Sequence, residues 1–475
     1  MSDRRPMTDL GNAERLVSRS GKMLRFVEDR NEWRSWVSPH WRRENMGPVY
    51  RAAAMTARSI MVEAERYSDA PNVNPTTGRP MPSDRQQMIS HAINSESKRS
   101  QMAMIDLAAH ISPISCSSAL FDADPWVLNT PAGIIDLRDD GSVTPCRPEA
   151  MLTRCTRAKF DPMAYAPTWL AFLKTVTCGD SELEGWLQRA IGMTLIGVQR
   201  EHVFFFLFGD GRNGKGTFVK ALLWALGDYG MTLPPNLLIE KKFDSHPTEL
   251  ADLEGRRMAV GSEVPKGSAW DEVRVKALSG GDMIRARRMR QDFVEFTASH
   301  TFWVLGNDKP RIRGLDNGIW RRMRLVPFKA DISEEDADRD LDAKLAAEAD
   351  GILWWSLEGC RAYLAQGLGM CAAVQKATED YQKDEDILGR FLEDCCDIDP
   401  DASVSKDSFR SCLRKWLQDG EFRPISDRAL KSDLTRRGIE ERRPDKYGTR
   451  EWKGVRLKLT EADRFTWFDK RGAND

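Results

Sequence analysis

The stretch FFFLFGDGRNGKGTF, residues 204–218, constrains the fold more than any other part of the 475-residue chain. A strand-like apolar run enters a loop of glycines with one lysine near its end, and the TFVKALLWAL that follows reads as a helix. Gly209 to Lys215 fits the G-x-x-x-x-G-K spacing of a phosphate-binding loop. Phosphate oxygens need several backbone N–H groups converging at once. A chain that visits positive φ wraps that tightly, and on this reading Gly209, Gly211, Gly214 and Gly216 do so. The helix N-terminus then faces the anion, and Lys215 supplies a mobile positive charge for the β- and γ-phosphates. The expected ATP-binding segment is Gly209, Asp210, Gly211, Arg212, Asn213, Gly214, Lys215, Gly216, Thr217 and Phe218. Ser or Thr usually follows the lysine to ligate magnesium. Here Gly216 does, so metal ligation by that position is excluded, and magnesium is expected to be held either through water or by Thr217 as substitute.

A chain this long exceeds one ordinary core and implies several domains. With 41% hydrophobic and 30% charged residues it has the composition of a globular protein. The net charge of −1 means that any basic surface is local. The apolar runs fall short of the roughly 18 residues a membrane span needs, so no membrane partner is expected. The N-terminus lacks the apolar segment of a secretory signal. Nine scattered cysteines without a C-x-x-C pair, Cys395 and Cys396 included, read as reduced thiols of a cytoplasmic protein. Most of the fifteen tryptophans are expected to pack, with some available as stacking platforms.

Five regions are expected. Residues 1–110 form a tryptophan-rich helical region, with a Pro/Asn/Gly-rich loop at 71–84. Residues 111–195 form an α+β helper domain with short strands, then two helices broken at Gly179-Asp180. Residues 196–335 alternate strands, loops and helices, the grammar of an α/β domain with a mostly parallel sheet. Residues 336–383 are an acidic helical extension. Residues 384–475, three helices and a β-like run, have the size and spacing of a winged-helix-like domain.

A phosphate loop needs an acid on a neighbouring strand, and RRMAVGSEVP supplies Glu263 at the end of one. Ligands of open α/β sheets sit at the carboxyl ends of the strands, so Glu263 is expected to prepare the attacking water and help hold magnesium. HTFWVLGNDKP ends another apolar strand at Asn307, a candidate sensor of the γ-phosphate or lytic water. Arg321 and Arg322 precede a further strand. One of them reaching a neighbouring subunit's γ-phosphate would stabilise transition-state charge; the alternative is a salt-bridged strand entrance. Between acid and asparagine, a Ser-Gly-Gly-Asp turn is followed by Arg285, Arg287, Arg288 and Arg290. The flanking apolar residues suit a hairpin, and its charge suits a sugar–phosphate backbone read without base contacts. Lys276 either joins it or serves the ATP site. A solvated basic edge that discourages strand pairing is the competing reading.

The order of these elements resembles superfamily-3 helicases, and more closely the phage/plasmid primase–helicase family related to the poxvirus primase–helicase. FDADPWVLNTPAGIIDLRDDGSVTPCRPEAMLTR resembles that family's pre-helicase domain, and the resemblance spans roughly residues 20–455. It implies an AAA+-like ATPase core in a hexameric homo-oligomer, with ATP and Mg²⁺ at subunit interfaces. It also implies movement on single-stranded DNA at a viral or plasmid replication fork in a bacterial host. Lys215 and Thr217 map to the phosphate loop, Glu263 to the acid strand and Asn307 to the sensor. Arg321 or Arg322 maps to the finger, and Arg285, Arg287 and Arg288 to the DNA-tracking hairpin. The acid strand carries one carboxylate where many relatives have two. No room is seen for the primase domain that many relatives carry, so a separate primase or polymerase is expected as partner. Two other readings stay open: an ATP-switched origin-binding or loading factor, and a small-molecule P-loop kinase suggested by G-K-G-T.

Overall fold

The computed structural model describes residues 5–139, 142–234, 237–240, 248–261, 264–287, 293–312, 318–443 and 449–458. Its first unit is mixed rather than helical. Helices Asp9–Ser20, Gly47–Glu63, Asp84–Ser95 and Lys98–Ala108 surround a four-stranded sheet. The tryptophan-rich segment forms the strands Leu24–Val27, Glu32–Val37 and His40–Arg43 of that sheet. This corrects the helical expectation. Trp36 and Trp41 are directly opposed across two antiparallel strands with ring centroids 5.9 Å apart, a pairing that favours a sheet. Trp33, Trp36 and Trp41 are all buried, so they pack this unit instead of offering open stacking faces.

The 71–84 loop holds only a two-residue strand pair, Asn72–Val73 with Pro80–Met81. A three-stranded meander, Val127–Thr130, Gly133–Asp136 and Val143–Thr144, leads to helices Pro167–Val176 and Ser181–Leu195.

The central sheet has five strands, labelled along the chain: β1 (Phe204–Phe208), β2 (Gly230–Thr232), β3 (Met258–Gly261), β4 (Thr301–Gly306) and β5 (Met323–Pro327). All neighbours are parallel, in the order β2-β3-β4-β1-β5. Parallel strands covered on both faces read as continuous apolar runs, which accounts for FFFLF. Phe205 and Leu207 pack on one side of the sheet, Phe204 and Phe206 on the other. On the first side Phe205 stacks on Trp303 (4.1 Å) and meets the edge of Trp186 (5.6 Å). On the second, Trp270 sits edge-on to Phe204 and Phe206 and donates from Nε1 to the Tyr381 hydroxyl at 3.3 Å.

Helices Leu341–Ala347, Ala349–Gln366 and Ala372–Glu385 follow the sheet. The Ala349–Gln366 helix crosses Ser181–Leu195 backbone to backbone. A Cβ on Gly192 would lie 2.0 Å from the Cys360 nitrogen, and one on Gly359 would lie 2.0 Å from the Gln188 carbonyl oxygen. One apolar core therefore joins the helper helices, one face of the sheet and the helices after it.

A separate core holds the C-terminal unit: helices Ile387–Cys395, Lys406–Asp419 and Asp427–Arg436 against an antiparallel sheet of Cys396–Ser405, Glu440–Arg442 and Glu451–Leu457. Among the described residues no helix is long and apolar enough to cross a membrane.

Candidate functional site

The phosphate loop lies between β1 and the helix Lys215–Leu226, whose N-cap is Gly214. Gly211 (φ 107°) and Gly214 (φ 83°) take the left-handed conformation expected of them, and Arg212 joins them at φ 46°. Gly209 and Gly216 do not, which corrects the uniform reading of the four glycines. Gly209 is required by close approach: a Cβ there would lie 2.1 Å from Asn213 Nδ2 and 2.3 Å from the Phe328 carbonyl oxygen. At Gly216 a Cβ would meet nothing within 4 Å, so sterics do not explain that glycine. Gly214 is constrained twice, by its φ and by the helper helix, since a Cβ would fall 2.4 Å from Val176 Cγ1.

Asn213 ties the loop down. Its Nδ2 donates to the Phe328 carbonyl at 3.2 Å, and its Oδ1 accepts from Lys215 Nζ at 2.9 Å. Lys215 Nζ also donates to the Gly209 carbonyl at 2.7 Å. The lysine is only 6% exposed, and burial lowers its pKa against the opposing pull of Asp210. Among the described residues no carboxylate lies within ion-pair distance of it. A desolvated ammonium held by two neutral acceptors suits an incoming polyanion. Phe218 anchors the helix, fully buried and stacked on Trp169 at 5.5 Å.

A cavity of ≈ 630 Å³ opens beside the loop, the size of a small-molecule site. Arg212, Gly214 and Thr217 line one side, Phe172 and Thr175 of the helper helix another, and Arg339 a third. Sequence reading missed Phe172, Thr175 and Arg339, because nothing in their local pattern links them to a loop some 40 or 120 residues away.

The other expected residues fall at two ends of the sheet. Phe208 of β1 is in register with Gly306 of β4, so exposed Asn307 begins the loop beside Gly209. β3 runs parallel to β4 with Gly261 opposite Val304, which sends the chain after β3 out of the same end. Glu263 itself lies outside the described residues. Arg321 and Arg322 close a short helix, Gly318–Arg322, just before Met323, and Met323 is in register with Phe204 at the start of β1. They therefore lie at the amino end of the sheet. β1 has five residues, and at ~3.3 Å per residue its two ends are about 13 Å apart. Arg321 is exposed, while Arg322 is half-buried, donates to the Gly318 carbonyl at 3.1 Å and leaves Nε without an acceptor.

The basic hairpin pairs Met283–Arg287 with Phe293–Thr297. Ile284 and Ala286 face inward, whereas Arg285 and Arg287 share an exposed face with Phe293. Arg285 lies 4.6 Å from the Phe293 ring and 3.8 Å from Glu295. Arg288 and Arg290 lie outside the described residues. Lys276 is on the helix Glu272–Leu278 and pairs with Glu272 at 4.0 Å. Thr217 lies in the first turn of the loop helix and lines the cavity, so it remains available to a metal; no group of three or more His, Cys, Asp or Glu gathers as a metal site among the described residues.

Fold and site together define a mixed α/β protein with a parallel central sheet and a glycine loop at its carboxyl end. A family described as "D5 N terminal like" matches residues 13–178, and a family of unknown function (DUF5906) matches residues 207–322. A protein named "Putative helicase" in Acanthamoeba polyphaga mimivirus is 27% identical over 299 residues, 58% of this chain and 31% of that protein. Another so named in Frog virus 3 is 27% identical over 267 residues, 52% of this chain and 27% of that protein. A "Putative primase" of African swine fever virus is 23% identical over 228 residues, 44% of this chain and 24% of that protein. This chain thus spans about a third or less of the relatives it matches. Two apo structures of the NrS-1 C-terminal region share the fold, with TM-scores of 0.51 and 0.54 at 11% and 12% identity. They cover 92% and 94% of this chain and 97% and 99% of the solved chains. Over these stretches the chain is similar to the D5 N terminal like family and to viral proteins named putative helicases and primases.

Proposed function

We propose that the chain is an ATP-dependent DNA helicase of mobile-element replication, with an AAA+-like core assembled as a hexameric ring that moves along single-stranded DNA. The observation that carries this reading is the division of the sheet. The phosphate loop, the exit of β3 and Asn307 share one end, while Arg321 and Arg322 lie at the other. Within one subunit those arginines are far from the loop, which favours a role in a neighbour's site.

On this reading loop N–H groups and Lys215 hold the phosphates, and the ≈ 630 Å³ cavity takes the nucleoside. Asn307 orients the attacking water and Glu263 accepts its proton. Thr217 and Glu263 would hold Mg²⁺, which when bound neutralises charge on the β- and γ-phosphate oxygens. Arg321 or Arg322 of the adjacent subunit stabilises the charge that develops on the transferred group. The exposed Arg285 and Arg287 follow the DNA backbone, joined by Arg288 and Arg290. The C-terminal unit, three helices on a small antiparallel sheet, supports a winged-helix-like assignment. It also favours a second reading, an ATP-switched origin-binding initiator with little unwinding.

Hydrolysis measured with and without a single-stranded oligonucleotide, together with strand displacement from a fork, separates these readings. A helicase shows stimulated hydrolysis and displacement, and Arg285→Ala with Arg287→Ala loses most of the stimulation. An initiator binds a particular duplex and leaves the fork intact. Full-rate hydrolysis by a monomer indifferent to any polynucleotide sinks both.

A further inference from the structure

A second cleft, ≈ 850 Å³, lies where the N-terminal unit meets the root of the hairpin. The edge strand His40–Arg43 forms one wall, Arg154 and Arg257 another, and Gly281 with Phe296–Ser299 at the hairpin root closes an end. Six arginines line it against four carboxylates, and those carboxylates are already engaged. Glu254 pairs with Arg30, with a 3.0 Å contact from Nη1. Asp124 pairs with Arg138 at 2.6 Å. Asp122 accepts from the Thr153 backbone at 2.8 Å. Asp228 accepts from the Cys155 backbone at 3.2 Å and faces His40 at 3.7 Å. Arg34 and Arg43 are held by Glu32 at 2.6 and 3.1 Å.

Three arginines remain with no carboxylate within ion-pair distance among the described residues. Arg42 is exposed, and its Nε donates to His40 Nε2 at 3.3 Å. Among the described residues the Arg154 side chain hydrogen-bonds to backbone carbonyls alone, of Asp228 (3.4 Å) and Glu254. Arg257 is 6% exposed, with a single long hydrogen bond from Nη2 to the Val127 carbonyl at 3.4 Å. Its Nε and Nη1 have no acceptor, nor do Arg154 Nε, Arg30 Nε and His40 Nδ1. Buried donors without partners are rare, and five around one cleft leave hydrogen-bonding capacity unmet there. Arg257 sets a positive potential at the cleft floor, and Arg42 and Arg154 are the donors nearer solvent.

We propose that this cleft seats backbone phosphates of the single strand that the hairpin engages. The inference rests on the helicase reading and extends the nucleic-acid path beyond the hairpin onto the N-terminal unit. A polynucleotide fits better than a free anion for two reasons. The cleft ends at the hairpin root, so it is continuous with the exposed face of Arg285 and Arg287. Its arginines are also spread over several walls, which suits successive phosphates along a chain.

The test is fluorescence anisotropy of fluorescein-labelled oligo(dT) with the full chain, titrated over a range of salt. Arg42→Glu should weaken binding about tenfold or more and lower the magnitude of the log–log salt slope by ~0.7 for each phosphate no longer neutralised. Arg42→Lys, which keeps the charge, should restore most of the affinity. Arg154→Gln should act in the same direction as Arg42→Glu. The melting temperature of the Arg42 variants should stay within about 2 °C of the parent, since that side chain is exposed. If Arg42→Glu and Arg154→Gln both bind with parental affinity and slope while Arg285→Ala with Arg287→Ala weakens binding, the cleft assignment is overturned and the helicase reading stands. If the parent chain itself fails to bind oligo(dT), the helicase reading falls and takes the cleft with it.

Discussion

Truncating Lys215 to alanine separates a structural from a chemical role for the phosphate loop. In the fold the ammonium makes two hydrogen bonds, to the Gly209 carbonyl at 2.7 Å and to Asn213 Oδ1 at 2.9 Å. Bonds from a charged donor are worth ~1.5–3 kcal/mol each. Against this, Lys215→Ala releases an ammonium that is only 6% exposed and has no carboxylate partner among the described residues. Desolvating such a group costs several kcal/mol. The two terms nearly cancel, so stability should change by no more than about 2 kcal/mol, a shift of roughly 4–8 °C in a domain of this size. Hydrolysis has no such compensation. Removing one preorganised electrostatic contact to the transition state costs ~10²–10³ in rate, about 2.7–4 kcal/mol. Phosphate release at saturating ATP and a thermal melt on the same preparation give both numbers. A loss of rate under about tenfold with an intact melt would refute the assignment. A collapsed melt would refute the claim that the lysine's contacts within the fold are dispensable.

Arg322→Ala should lose hydrolysis alone and regain it when mixed with Lys215→Ala subunits; equal losses in the mixed and single preparations count against a contact between subunits. Because a Cβ at Gly216 meets nothing within 4 Å, Gly216→Ser should keep the parental melting temperature and reduce the magnesium concentration needed for half-maximal hydrolysis. An unchanged magnesium titration would mean that the hydroxyl does not reach the ion. In the C-terminal unit, hydrogen bonds from Lys406 and then Lys431 lower the Glu441 pKa to about 2. Its folded value lies below its unfolded one, so its contribution is fully present above about pH 4.5 and is lost as pH falls toward 2. Glu441→Gln should flatten the acid side of that unit's stability profile, followed by its own fluorescence transition, and leave neutral pH less stable than the parent.

The phosphate loop was legible because its signal is local: a buried strand, residues that must turn tightly, then a helix. The sheet was legible for the same reason, since strands covered on both faces are written as uninterrupted apolar runs. The reasons for individual glycines were less accessible. Gly209 is set by Phe328, which follows the adjacent strand β5 but lies far along the chain, and no pattern around residue 209 announces it. The strand Cys396–Ser405 escaped notice because CDIDPDASVS carries Pro400 and three acids. It survives by shifting register between Ile398 and Ser403, which places the proline where the ladder is interrupted. The cleft by the hairpin was illegible in principle, since Arg42, Arg154 and Arg257 come from segments about a hundred residues apart and meet only in three dimensions.

The meeting of Gly192 with the backbone of the Ala349–Gln366 helix has a practical corollary. Helices on either side of the sequence-defined core share its interior: Trp186 lies against Phe205, Thr194 accepts from Trp303 Nε1 at 3.1 Å, and Trp169 stacks on Phe218. A fragment trimmed to residues 196–335 would leave that aromatic face bare to water and prone to clump. An excised sheet domain that stays in solution has to carry the helices Pro167–Val176, Ser181–Leu195 and Ala349–Gln366 with it.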